Sequence, residues 1–403
     1  MRTVADELGR GAAISIISLV DALLREADER RASDIHIDPN HSHVRVRFRI
    51  DGVLHEAYQL PTTIHAEVIS RVKVLANLRT DEHQATQDGR FRFTYPGDER
   101  FIDLRVSIVP TYHGENAVLR ILSDKAAQYS LEMLGFSDAD QQKIHRAIYQ
   151  PNGMILATGP TGSGKTTTLY TLVKMLNQPD VSILTIEDPI EYAIADITQM
   201  QVNPRAGLTF VNGLRSILRQ DPNIIMVGEI RDGETASIAV NTALTGHLVL
   251  STLHTNDAAT TLPRLLDMGI DAYLVASTVS IAIAQRLVRK ICPSCARPAR
   301  VPRAVAEALA TVPLTVPVVA GEVFSVGAGC DACDETGYAG RVCINEVLVA
   351  DDTVREAILR KASATEIRNI AIAHGMTTML EDGFHKVRTG RTSIEEVLRV
   401  IHA

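Results

Sequence analysis

The chain has 403 residues, 45% hydrophobic and 22% charged, enough for two or three domains that each bury a core of their own. Asp and Glu outnumber Lys and Arg by 48 to 41, which disfavours a general nucleic-acid binder and confines any polyanion contact to a local patch. No stretch approaches the roughly 18 apolar residues of a membrane span, and MRTVADELGRG is no signal peptide. Four of the five cysteines fall in two CxxC pairs, so a reducing compartment and a metal are expected rather than disulfides. The expected setting is the cytosol, with membrane association only through partners.

In residues 14–31, Ile16, Leu19, Val20, Leu23, Leu24 and Ala27 form one apolar stripe of a helix. Period two takes over at SDIHI. HVRVRFRI then sets Val44, Val46, Phe48 and Ile50 against Arg45, Arg47 and Arg49 across a strand, with Asp51-Gly52 as a hairpin turn. An amphipathic helix is expected over 64–79. Alternation returns in RFRFTY and FIDLRVSIVP, about a turn at Pro96-Gly97-Asp98, and NAVLRIL ends near Leu122. Mixed helices and antiparallel strands predict an α+β domain over 1–122 with an arginine-rich polar face, then a linker over 123–135.

Residues 136–403 follow an α/β pattern. MILAT (154–158), ILTI (183–186), IIMV (224–227) and LVL (248–250) are short apolar runs separated by helical segments, as in a parallel sheet covered on both faces. Residues 291–345 differ, with Cys, Pro and Gly clusters and little periodicity. Residues 346–403 return to helix.

GPTGSGKTT carries G-x-x-x-x-G-K-[ST] between a strand and a helix, over Gly159, Pro160, Thr161, Gly162, Ser163, Gly164, Lys165, Thr166 and Thr167. Glycines let backbone N–H groups curl around phosphates, and the helix N-terminus adds its partial positive charge. Lys165 is expected on the β- and γ-phosphates of ATP or GTP and Thr166 on Mg²⁺. Glu229 follows IIMV, and Glu187, Asp188 and Glu191 follow ILTI. Acids at the ends of parallel strands beside such a loop suit hydrolysis, although any one of them could be a solvated loop carboxylate. His247 and His254 bracket one strand, either as structural residues or as sensors of the γ-phosphate.

Cys292, Cys295, Cys330 and Cys333 suit a structural tetrahedral zinc, with 34 residues between the pairs that imply an inserted loop. A redox CxxC and a metal-free remnant remain open alternatives. Cys343 reads as a small core residue.

TIEDPIEY, LRSILRQDPNIIMVGEIRDGETASIAV and TALTGHLVLSTLHTNDA resemble the Asp box, Walker B region and His box of the secretion ATPase superfamily. SDIHIDP, VRFRIDGVLHE, QDGR and PTYHGENAVLRIL extend the resemblance, from about residue 14 to the C-terminus, to the assembly ATPases of type II secretion and type IV pili. It implies a RecA-like P-loop motor domain with a zinc-binding insertion, preceded by a PAS-like domain. It also implies an ATP-hydrolysing homo-hexamer at the cytoplasmic face of the inner membrane that drives pseudopilus or pilus assembly through a membrane platform protein; the acidic balance, rather than the resemblance, argues against direct nucleic-acid contact.

By motif, Glu191 would act on the attacking water, Glu229 would stand near Mg²⁺, and His247 and His254 would be the His-box pair. Arg90, Arg105 and Arg120 match the arginines with which this family's N-terminal domain completes the nucleotide site. The tetracysteine module marks assembly rather than retraction ATPases. A retraction or DNA-uptake motor and a nucleotide-gated scaffold stay as alternatives; the acidic balance counts against a nucleic-acid translocase. Two departures stand out: EHQATQDGR lacks a proline usual before QDGR, and the sequence begins almost directly at the PAS-like domain.

Overall fold

The computed structural model describes residues 3–97, 99–122, 129–311 and 314–401. Asp98 of the expected turn and residues 123–128 of the expected linker lie outside them. The chain divides into two compact units, Met1–Asp124 and Lys125–Ala403.

The first unit runs α1 (Val4–Leu8), α2 (Ile16–Glu29), β1 (Ala32–Pro39), β2 (Val44–Ile50), β3 (Val53–Leu60), α3 (His65–Leu75), β4 (Gln87–Thr94), β5 (Phe101–Thr111) and β6 (Gly114–Leu122). Its six strands form one antiparallel sheet in the order β3-β2-β1-β6-β5-β4. Asp51 and Gly52 take φ of 49° and 87°, the left-handed pair that a two-residue hairpin needs to match strand twist. The α2 stripe and Val68, Ile69 and Val72 of α3 pack with Val44, Val46, Phe48, Leu104, Val106 and Leu119 into one core. Alternation therefore leaves a polar face opposite. The register aligns Arg90 with Arg105, Arg105 with Arg120, Arg120 with Asp34, and Asp34 with Arg49. Directly paired residues share a face, so these five form a row across the sheet.

The second unit opens with α4 (Leu131–Leu134), α5 (Asp138–Ile148), β7 (Gly153–Thr158), α6 (Lys165–Leu176), β8 (Ile183–Glu187) and β9 (Thr198–Gln201). It continues through α7 (Phe210–Ile217), β10 (Ile224–Val227), α8 (Gly233–Leu244), β11 (Leu248–Leu253), α9 (Ala258–Asp267), α10 (Ala272–Thr278) and β12 (Val279–Ile291). Then come β13 (Ala296–Arg300), α11 (Arg303–Leu309), β14 (Val323–Gly327), β15 (Tyr338–Val349), α12 (Asp352–Leu359), α13 (Ala364–Ala373), α14 (Met379–Arg388) and α15 (Ile394–Ile401). Seven strands lie in the order β15-β12-β7-β11-β10-β8-β9, all parallel except β15. Met154 and Leu156 of β7 point into one core, Ile155 and Ala157 into the other, so the sheet is buried on both faces.

The four apolar runs are the strands β7, β8, β10 and β11. The irregular reading of 291–345 needs correcting, because its ends belong to β12 and β15, two strands of the main sheet. Between them, β13 and β14 pair as a small ribbon and α11 follows β13, where an inserted loop was expected. Among the described residues no helix is long and apolar enough to cross a membrane.

Candidate nucleotide site and cysteine cluster

β7 ends at Thr158, and the chain turns through Gly159, Gly162 and Gly164, at φ 137°, 78° and 93°, into α6. Side chains rarely adopt these values, and that frees the backbone to wrap a phosphate. Lys165 is nearly buried; its Nζ donates to the carbonyls of Gly159 (2.8 Å) and Pro160 (3.1 Å). Burial lowers its pKa, an effect the charge of Glu229 opposes. Thr166 and Thr167 are half-buried in the first turn of α6.

Glu229 stands just past β10, with 13% of its side chain exposed. Its carboxylate accepts from Arg231 at 2.7 Å and faces His254 Nε2 at 3.1 Å. Burial pushes the carboxyl up, but Arg231 and His254 outweigh it and hold the pKa below the ordinary range. Beyond β8, Glu191 is half-buried and its backbone N–H donates to the Tyr170 hydroxyl of α6 at 3.3 Å. Lys165, Glu229, His254 and Glu191 thus all lie at the carboxyl edge of the parallel strands, where such sheets bind ligand.

The remaining expected residues distribute differently. His247 precedes β11 whereas His254 follows it, so the strand separates them by roughly 20 Å. Nδ1 of His247 faces the Thr242 carbonyl at 3.2 Å, at the edge opposite the phosphate loop. The structure therefore splits the histidine pair and leaves only His254 beside Glu229. Arg90, Arg105 and Arg120 lie in the first unit's transverse row. Nε of Arg120 is paired with Asp34 at 2.9 Å, while Arg90 and Arg105 carry no ion pair among the described residues.

Three further features support this edge, and of these the sequence reading had named only Glu187, as one of several strand-end acids. Glu187 is buried, and its carboxyl accepts from Tyr170, from Thr185 at 2.5 Å and from Gln199 at 3.1 Å; burial raises its pKa. It is a hub that ties α6 to the segment bearing Glu191. The hydroxyls of Thr158 and Thr255 meet at 2.6 Å and join the end of β7 to the residue after His254. Gln285 of β12 donates to the Ser163 carbonyl at 2.9 Å. None of these contacts has a local motif to announce it.

At the far end of β12 and the approach to β15, Sγ atoms of Cys292, Cys295, Cys330 and Cys333 lie within 4.8 Å of one another. Cys292–Cys330 and Cys295–Cys333 are 3.9 Å apart, and Cys330–Cys333 3.7 Å. Four sulfurs at about 2.3 Å from a tetrahedral ion would be about 3.8 Å apart, so the cluster fits one metal. Burial raises the Cys333 thiol, but N–H groups of Cys330 (3.3 Å) and Gly337 (3.2 Å) aimed at its Sγ bring it down to about 7. Such donors favour the thiolate that a metal needs. Cys343 is buried in β15, away from the set.

A glycine loop from a central parallel strand into a helix, with a lysine and strand-end carboxylates around it, defines a P-loop nucleotide-binding protein. Comparison with known proteins narrows this. The model of the Type II/IV secretion system protein family matches residues 11–399. Type II secretion system protein E of Xanthomonas campestris is 49% identical over 96% of this chain and 67% of its own length. Type IV pilus assembly ATPase PilB of Myxococcus xanthus is 44% identical over 98% of this chain and 69% of its own. Among solved structures, the Legionella pneumophila ATPase DotB superposes with a TM-score of 0.69 and 25% identity, each chain covered to 95%. The pilus retraction motor PilT with bound ADP does so at 0.63 and 26%, covering 94% of this chain and 96% of its own. The chain belongs to the type II/IV secretion system protein family, as an ATP-hydrolysing enzyme of its secretion and pilus motors.

Proposed function

We propose that this ATPase works as a homo-hexamer at the cytoplasmic face of the inner membrane, where it drives pseudopilus or type IV pilus assembly through a membrane platform protein. The reading rests on one observation above the others: a P-loop, Glu229, His254 and Glu191 share one sheet edge in a chain of this family. The phosphate loop and Lys165 bind the triphosphate, Thr166 and Glu229 hold Mg²⁺, and Glu191 orients the water. When bound, the metal supplies charge neutralisation across the β- and γ-phosphates. His254 fixes the Glu229 carboxylate; His247 has no place in this scheme.

Residues 1–122 form the PAS-like domain, and the RecA-like ATPase domain takes in everything from α4 onward, with the cysteine module between β12 and β15 and the C-terminal helices from α12 to α15. Arg90 and Arg105 complete the nucleotide site in the assembled ring, while Arg120, already held by Asp34, buttresses their row. The four sulfurs hold a structural Zn²⁺, which favours assembly over the alternative of a retraction or DNA-uptake motor. The test is ATPase rate per chain against protein concentration, with particle mass followed in parallel. The rate should climb as hexamers form. A rate near zero even in hexamers would favour a nucleotide-gated scaffold.

A further inference from the structure

Gln285 has no solvent exposure, yet its amide is fully engaged: Nε2 donates to the Ser163 carbonyl and Oε1 accepts from Thr168 Oγ1, both at 2.9 Å. Its register on β12 follows Ala284, the partner of Thr158, so it stands directly beside the start of the phosphate loop. Its backbone carbonyl would lie 2.4 Å from a Cβ on Gly159, and its Nε2 2.9 Å from one on Gly164. One residue of a neighbouring strand thus braces the loop's entrance, its last peptide and the helix that follows.

The orientation of that last peptide has a chemical consequence. A trans peptide is planar, with C=O and N–H pointing in opposite directions. The Ser163 carbonyl points outward to β12, so the Gly164 N–H of the same peptide points away from β12, into the curl of the loop. A donor turned that way can reach a phosphate oxygen; one turned the other way would present a carbonyl, which repels it. We propose that Gln285 is a positioning residue for the triphosphate, holding the Ser163–Gly164 peptide so that Gly164 N–H faces the phosphates. Thr168 bonds the other end of the same amide to α6 and does not touch the Ser163–Gly164 peptide, while the β12 ladder keeps Gln285 in place. The inference rests on the phosphate loop being the nucleotide site.

Two variants of the full chain separate positioning from packing. Gln285→Met keeps the side-chain length and removes both polar atoms; Thr168→Val removes only the tie to α6. Titration with ADP and Mg²⁺ should show Gln285→Met binding about tenfold more weakly, with KM for ATP raised in proportion and kcat at saturating ATP within about twofold. Thr168→Val should stay within about twofold of the wild type in both. If Gln285→Met does not fold, Gln285→Asn, one methylene too short to reach Ser163, is expected to show the same loss. Unchanged ADP affinity in the folded Gln285 variant, or an equal loss in Thr168→Val, overturns the proposal. A wild-type chain that bound no ADP would overturn the nucleotide site itself, so the two failures are distinct.

Discussion

Glu187 and Glu191 stand four residues apart at the end of β8 in opposite environments. The Glu187 carboxyl is buried and accepts from Tyr170, Thr185 and Gln199, so it is already committed to side chains of the fold. Glu191 is half-buried at the open edge, so of the two it is the one able to meet a nucleophile. Glu191→Gln should keep ADP affinity within about twofold and lower turnover by about a hundredfold or more. Turnover near wild type would exclude Glu191 from the chemistry. At this scale the phosphate loop was legible because its residue pattern is contiguous over 159–167. Glu187 looked like one more strand-end acid, because the Gln199 that encloses it comes from β9, which was not expected. Gln285 lies 122 residues beyond the carbonyl it holds, and no periodicity reports such a contact.

At the scale of elements, β12 and β15 explain both what was missed and how the second unit coheres. Pairing runs from Ile281 and Val349 to Ile291 and Tyr338, with polar residues such as Gln285, Asn345 and Glu346 buried in the ladder. Those polar positions broke the apolar run by which β7, β8, β10 and β11 were recognised, and the Cys, Pro and Gly clusters hid where β15 begins. Helix α15 docks here through Glu396, 1% exposed, which accepts from the Arg289 backbone at 3.0 Å and pairs with both Arg289 and Arg399. Burial pushes its carboxyl up, but the two guanidiniums bring the folded value down to about 2. A depressed acid contributes stability above its unfolded value of about 4.3 and loses it as pH falls toward the folded one. Glu396→Gln should therefore cost about 3 kcal/mol at neutral pH, and the gap to wild type should narrow between about pH 4.5 and 2 in denaturant melts. A gap independent of pH would mean that packing rather than charge holds α15. The cysteine cluster closes the same end of these two strands, just past Ile291 of β12 and just before Tyr338 of β15. Metal analysis should find about one zinc per chain, and chelation should speed amide exchange in residues 292–337 while β7 stays protected. A metal-free chain with unchanged protection would remove the site.

At the scale of the molecule, the proposed function divides nucleotide chemistry between units of different construction. The second unit carries the loop and the acids; the first carries no phosphate loop but a sheet face on which arginines stand in register. Asp34 takes up Arg120, and Arg49 approaches it at 3.6 Å; the charge of Arg90 acts on Asp103, while Arg105 carries no ion pair among the described residues. A guanidinium so placed is open to an anion, and developing charge on a transferring phosphoryl group is one this enzyme produces. Arg105→Ala should therefore lower kcat by about tenfold or more while leaving the melting temperature and ADP affinity of the dilute chain unchanged. The proposal assigns Arg105 to a site completed only on assembly, so the variant should form the same particles as wild type, yet its rate per chain should no longer climb as they appear. A variant that kept the wild-type rise would return Arg105 to a solvated sheet face.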